Sequence, residues 1–324
     1  MSPVWDDGTS GPRASLTQRV RSFTQETARN NTGVYIWSGL EPGTYLYHSG
    51  THPALQVQMG LYGGLKKDVA SGQAYPGVPY DRDVTVFFSE VDTALHLAVA
   101  ADNYGPGKAV TSTFDYKPRY FLINGASYPD TQPLLVTGTT GEKVLLRFLN
   151  AGLETHVPML NGLSMSLVAE DGNKYPYAKD QYSLLLTAGK TSDAVLTWPG
   201  GNSQYAVFDR RLRLTNGAAS GGGMLAYLTV DSDGDGVADT QDNCTLVANA
   251  NQRDTNGDGY GNICDPDLNN DGIVNIADLT LMRSSIGTTN ADADLNGDGI
   301  VNIADITLLR SYVGHPPGPS GLVP

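Results

Sequence analysis

The sequence predicts a mainly β protein: two Greek-key β-sandwiches in succession, then a small C-terminal region of acidic loops and short helices. Three observations carry that prediction. Short runs of alternating apolar and polar residues recur between Gly and Pro turns as far as residue 230. Glycine (38) and proline (18) are frequent, and no long helical period dominates. Past residue 230 the apolar runs give way to regularly spaced Asp, Asn and Gly. A chain of 324 residues has room for two cored domains of roughly 100–150 residues and something smaller.

In the first expected domain, residues 1–112, the strand candidates are "LTQRVRSF", "GVYIWS", "TYLYH" and "VTVFFSE", followed by a helix at "VDTALHLAVAADNY". A linking stretch over 105–118 leads into the second, residues 113–230. Its strand candidates are "RYFLING", "PLLVTG", "KVLLRFL", "YSLLLTAG", "DAVLTW" and "GGMLAYLTV". No apolar run reaches the ~18 residues that a membrane-spanning helix needs. The opening "MSPVWDDGTSGPR" is acidic where a signal peptide is basic, and it has no apolar stretch.

The net charge of −13 is concentrated. Residues 231–314 hold fifteen Asp, no Glu and only Arg253, Arg283 and Arg310, a net of −12. A surface of this sign excludes nucleic acid as a natural partner. Like charges spaced this regularly, with Gly and Asn between them, are set for a cation rather than for a disordered acidic tail.

Calcium takes oxygen ligands from positions 1, 3, 5, 7, 9 and 12 of a twelve-residue loop with Gly at position 6. "DLNNDGIVNIAD" supplies Asp267, Asn269, Asp271, the Ile273 carbonyl, Asn275 and Asp278, with Gly272 at the turn. Twenty-seven residues on, "DLNGDGIVNIAD" supplies Asp294, Asn296, Asp298, the Ile300 carbonyl, Asn302 and Asp305, with Gly299 at the turn. Each loop runs into a similar amphipathic segment, "LTLMRSSIG" and "ITLLRSYVG". This duplicated loop–helix unit, residues 267–314, resembles the dockerin module, although position 12 is Asp rather than Glu and no helix precedes either loop.

Dockerins bind cohesin domains through the helices after their loops, so the resemblance implies a cohesin-like partner on a surface or scaffold protein. The matching candidate contacts are Ile276, Ala277, Arg283 and Ser284 in one copy and Ile303, Ala304, Arg310 and Ser311 in the other. The competing reading has the two segments packing on each other through Leu281, Met282, Leu308 and Leu309.

Upstream, residues 231–266 place Asp231, Asp233, Asp235, Asp239 and Asp242 on one ladder. Asp254, Asn256, Asp258, the Tyr260 carbonyl, Asn262 and Asp265 form a second. Cys244 and Cys264, the only cysteines, each end one of these segments. The arrangement resembles a thrombospondin type 3 repeat, in which metal and disulfide replace an apolar core. It implies a Cys244–Cys264 disulfide and hence an oxidising compartment, secreted or at the cell surface. Residues 315–324 read as a Pro/Gly tail.

"GTYLYHSGTHPALQVQMGLYG" resembles the first-domain segment of multicopper oxidases, where a strand ends in His-x-His. "YFLINGASYP", "VLLRFLNAGLETH" and "LVAEDGNKYPY" resemble the second domain of that family. The resemblance implies cupredoxin folds and, as inherited activity, copper-dependent oxidation of phenols or metal ions. It also implies strands before Met1, so the chain is expected to lack part of the first domain.

This sequence departs from the family at its metals. A type 1 copper needs a Cys thiolate, and both cysteines lie in the acidic repeat. The oxygen-reducing cluster needs eight imidazoles, and the chain has five: His48, His52, His96, His156 and His315. His48 and His52 remain, as a weak copper site or as a structural pair. His96 reads as a satisfied core histidine, His156 as a packing or hydrogen-bonding group, and His315 as solvated.

No other catalytic motif stands out. Gly221–Gly223 is turn material, and Glu170 with Asp171 reads as a solvated hairpin tip rather than a glycosidase pair. Two function classes stay open: a secreted oxidase-like protein anchored through calcium, and a non-enzymatic extracellular structural or adhesion protein built on the same folds.

Overall fold

The computed structural model describes residues 30–34, 39–50, 52–200 and 204–323. In chain order it contains β1 (Gly43–His48), α1 (Pro53–Gln56), β2 (Tyr62–Lys67), β3 (Gln73–Tyr75), β4 (Val78–Pro79), β5 (Arg82–Val91), α2 (Thr93–Ala100) and β6 (Tyr120–Ile123). There follow β7 (Leu134–Val136), β8 (Lys143–Asn150), β9 (Pro158–Leu160), β10 (Met165–Glu170), β11 (Asn173–Gln181), β12 (Thr191–Thr197) and β13 (Tyr205–Asp209). The last elements are β14 (Thr215–Asn216), β15 (Ala219–Ser220), β16 (Leu225–Val230), α3 (Ile276–Ser284) and α4 (Ile303–Tyr312). The described residues divide into two compact units: those within 30–132, 143–197 and 205–227, and those within 133–142, 198–204 and 228–323.

The first unit is built on one eight-stranded sheet, in the order β11-β10-β12-β8-β5-β6-β14-β15. β8 is buried along its whole length after Lys143, which is why "KVLLRFLN" reads as a continuous apolar run instead of alternating. In β5 the alternation shows: Val84, Val86 and Phe88 point into the core. Strands β1 and β2 form a separate antiparallel pair that sets His48 opposite Tyr62.

The expected domain boundary after residue 112 runs through the eight-stranded sheet. β5, before that boundary, lies between β6 and β8, both after it, and pairs with β8 in parallel. A parallel pair needs a long crossover, and periodicity locates strands without saying which ones pair. "YSLLLTAG" keeps its alternation, with Leu184 and Leu186 buried and Leu185 exposed, but meets residues 156–159 only through isolated bridges. "LTQRVRSF" lies outside the described residues, as does most of "GVYIWS".

In the second unit, β7 runs parallel to the end of β16, pairing Leu134 with Leu228 and Val136 with Val230. The remainder consists of loops, two short 3-10 turns (Asp239–Gln241 and Asn262–Cys264) and the helices α3 and α4. Both helices start identically. Asn275 and Asn302 cap them, and Asp278 and Asp305 return the contact to the cap backbone, closing a capping box at the N-terminus of each helix. Arg283 and Arg310 sit in the last turns, where a cation suits the helix dipole. Val274, Leu279, Met282, Leu295, Val301, Ile306 and Leu309 form a small shared core. Cys244 and Cys264 are joined in a disulfide. Closing a loop of this length contributes about 3 kcal/mol on the chain-entropy view.

Candidate metal centres

Four loops of the second unit share one hydrogen-bonding scheme. In each, the first carboxylate accepts the amide of the glycine at position 6: Gly236 to Asp231 at 3.2 Å, Gly259 to Asp254 at 3.0 Å, Gly272 to Asp267 at 2.6 Å and Gly299 to Asp294 at 3.0 Å. These four glycines have φ between +88° and +98°, a sharp turn that a side chain would strain. Positions 3 and 5 each turn an oxygen back onto an amide two residues on, as Asn269 does to Asp271 (2.9 Å) and Asp271 to Ile273 (3.2 Å). The short polar side chains thereby wind the backbone around their own remaining oxygens.

In the first loop the remaining oxygens converge. Asp231, Asp233 and Asp235 each offer a carboxylate oxygen within 4.8 Å of the other two. Oδ2 of Asp233 and Oδ2 of Asp242 are enclosed and accept no hydrogen bond. Burial, then the neighbouring carboxylates, hold both groups above the usual carboxylate range. Uncompensated carboxylates gathered around a glycine turn are the donor set of a hard cation, and calcium fits it.

Asp239 and Asn262, candidate ligands of the first and second loops, also hold those loops closed. Asp239 accepts from the Ser232 amide and hydroxyl, both at 2.7 Å, and Asn262 accepts from the Thr255 amide at 2.9 Å. In the second loop Asp265 is pushed up to about 7 by burial, then by Asp258 and Asp267.

The histidines fare differently. His48 ends β1 exposed, its Nδ1 donating to the Ser49 carbonyl at 2.8 Å, which leaves Nε2 free as a ligand atom. His52 is exposed at the N-terminus of α1, and Thr51 between them lies outside the described residues. Among the described residues, the one group of three or more His, Cys, Asp or Glu donors close enough to share an ion is Asp231, Asp233 and Asp235. His96 is half-buried on α2, but its Nε2 is enclosed with no hydrogen-bond partner, so it is not the satisfied core histidine expected. His315 is exposed.

His156 is fully buried between two carboxylates, Nδ1 at 2.9 Å from Asp209 and Nε2 at 3.0 Å from Glu90. Burial opposes its charge, but Asp209 and Glu90 outweigh it and raise the imidazole above its ordinary value. Asp209 is lowered in turn, against its own burial, by His156 and by the Val157 and Arg211 amides. Gly152 makes room for this group: a Cβ there would stand 1.8 Å from Oε2 of Glu90. Sequence reading missed both carboxylates, which lie 66 and 53 residues from the histidine.

The candidate partner surface is open in both copies. Ile276 and Ile303 are each 69% exposed, with Ala277, Arg283, Ser284, Ala304, Arg310 and Ser311 exposed beside them. Packing of the helices on each other uses Met282, Leu309 and half-buried Leu308, while Leu281 faces outward. The two readings of the amphipathic segments are therefore compatible, because each occupies a different face.

Residues 83–232 match the family model for multicopper oxidase, residues 265–314 that for the dockerin type I domain, and residues 230–252 that for the thrombospondin type 3 repeat. The chain carries a multicopper-oxidase-like domain and a dockerin module. Among solved structures, the blue copper oxidase from Nitrosomonas europaea is similar at 21% identity and a TM-score of 0.53, over 71% of this chain and 66% of that one. The multicopper oxidase mgLAC is similar at 26% identity and a TM-score of 0.49, over 58% and 56%. In neither case does the chain span as much as two thirds of the relative. The first likeness carries the fold: mainly β and cupredoxin-like, with the dockerin helices at the C-terminal end. No curated protein matches the chain significantly.

Proposed function

We propose that this is an extracellular protein whose multicopper-oxidase-like domain is tethered by a calcium-folded dockerin module to a cohesin-like domain on a surface or scaffold protein. The observation that carries the tether is the exposed, duplicated face of α3 and α4 above two loops wound alike around Asp267 and Asp294. Calcium would be held by the carboxylates and carbonyls of the four loops, and it would supply the counter-charge that lets them close. Dockerin and thrombospondin type 3 modules suggest an extracellular or cell-surface setting, and the disulfide suits one.

The cupredoxin-like part we read as a scaffold with, at most, a two-imidazole copper site at His48 and His52. The disulfide favours this: it takes up both sulfurs, leaving these residues no thiolate for a type 1 copper. Calcium-dependent binding to a panel of cohesin domains tests the tether. Arg283→Ala or Arg310→Ala alone should weaken binding slightly, since a half-turn presents the other copy, while the double variant should abolish it. Binding that survives the double variant, or is indifferent to chelator, contradicts the proposal. Copper titration tests the scaffold reading: no more than one Cu(II) per chain outside the acidic loops, and no intense blue band.

A further inference from the structure

The segment beyond α4 reads in sequence as a Pro/Gly tail, and in the structure its backbone is engaged along most of its length. It leaves the dockerin through a two-way contact with Val274: the Gly314 amide donates to the Val274 carbonyl at 2.8 Å, and the Val274 amide to the His315 carbonyl at 2.9 Å. It then crosses the upstream acidic repeat. The Gly318 amide donates to the Cys264 carbonyl (2.9 Å), the Thr245 amide to the Pro319 carbonyl (3.0 Å) and the Gly321 amide to the Asp242 carbonyl (2.8 Å). The Ser320 hydroxyl reaches the Gly259 carbonyl at 2.7 Å.

These anchor points are not incidental positions. Asp242 carries one of the orphaned carboxylate oxygens of the first loop, Gly259 is the turn glycine of the second, and Val274 lies in the third. Cys244 and Cys264, joined to each other, stand next to or at two of the remaining anchors. The fit is also close. A Cβ on Gly321 would stand 1.7 Å from the Asp239 carbonyl oxygen, which is backbone and cannot swing aside. A Cβ on Gly318 would stand 2.7 Å from the Tyr260 ring.

We infer that residues 314–321 form a strap that makes calcium binding by the acidic loops of residues 231–265 depend on the tail of the dockerin. The inference rests on the calcium reading above. The strap bonds the backbone carbonyls of Asp242 and Gly259, and so holds in place the two loops that carry the candidate ligands. A metal that requires those loops in place binds more tightly when the strap has already set them, and bound metal holds the strap in return.

The test is a calcium titration followed by segment-resolved hydrogen exchange on three forms of the full chain: the parent, Gly321→Val, and a chain ended after His315. In the parent, residues 231–265 should gain protection as calcium rises. In both altered forms, the calcium concentration for half-protection of that segment should rise about tenfold, while α4 keeps its own midpoint. Unchanged midpoints in both altered forms would overturn the strap while leaving the calcium reading intact. A parent whose acidic loops do not respond to calcium would overturn both. A shift in the truncated chain without one in Gly321→Val would also overturn it, because the collision at Asp239 would then not matter.

Discussion

The β unit and the acidic unit both bury charge, and they do so in opposite ways. In the β unit the buried cations Arg147 and His156 meet carboxylates from the same fold, while the buried carboxylates Asp92 and Asp193 meet amides and hydroxyls. Arg147, 1% exposed, donates to Asp83 at 3.0 Å, to Asp68 at 2.6 Å and to the Thr44 hydroxyl at 3.0 Å. His156 lies between Glu90 and Asp209. In the acidic unit the carboxylates meet each other, and among the described residues the only enclosed carboxylate oxygens without a partner are those of Asp233 and Asp242. A buried charge persists only when compensated. One unit carries its compensation within the chain, and on the calcium reading proposed above the other takes it from solution.

Removing the ion is the largest perturbation this contrast allows. Chelation should unfold residues 231–314, seen as lost helical circular dichroism and new proteolytic cuts there, while the thermal transition of the β unit stays in place. Unchanged dichroism and proteolysis in chelator would erase the distinction.

The matching perturbation of the β unit is His156→Leu. It leaves Glu90 and Asp209 buried without their shared cation, and should cost about 3–5 kcal/mol in denaturant unfolding. The calcium response should not change. Next in size is the double variant Cys244→Ser with Cys264→Ser, expected to cost about 2–4 kcal/mol in the acidic unit alone. It should raise the calcium needed to fold that unit.

The smallest effect is a pH dependence. The folded His156 holds its proton above the ordinary value of about 6.5, so its contribution is fully present below that pH. It is lost as pH rises through the folded pKa. Asp209, held low, contributes above its unfolded value and loses that contribution as pH falls through its folded one. The β unit should therefore lose stability from about pH 6.5 upward, a slope that His156→Leu removes.

How far this could be read from the chain follows the same division. The acidic loops were legible because their candidate ligands are local: twelve consecutive residues contain the turn glycine, the cap Asn275 and the carboxylates together. The exposed face of α3 and α4 was legible because the two copies match. The partners of Arg147 and His156 were not, since strand pairing brings them together from far along the chain. The parallel β5–β8 pairing that crosses the expected domain boundary was hidden for the same reason. The strap was hidden because Pro, Gly and Ser signal a turn or a tail without saying what lies beneath it.

Asp242→Asn, measured with and without calcium, tests the central claim most directly. If the enclosed oxygen of Asp242 is an uncompensated charge awaiting a cation, its removal should leave the calcium-free acidic unit equally stable or more so. The same change should weaken calcium binding by that loop about tenfold. The effect thus reverses sign with the ion. Destabilisation of equal size in both conditions would contradict the account, and would make Asp242 an ordinary internal hydrogen-bonding group like those of the β unit.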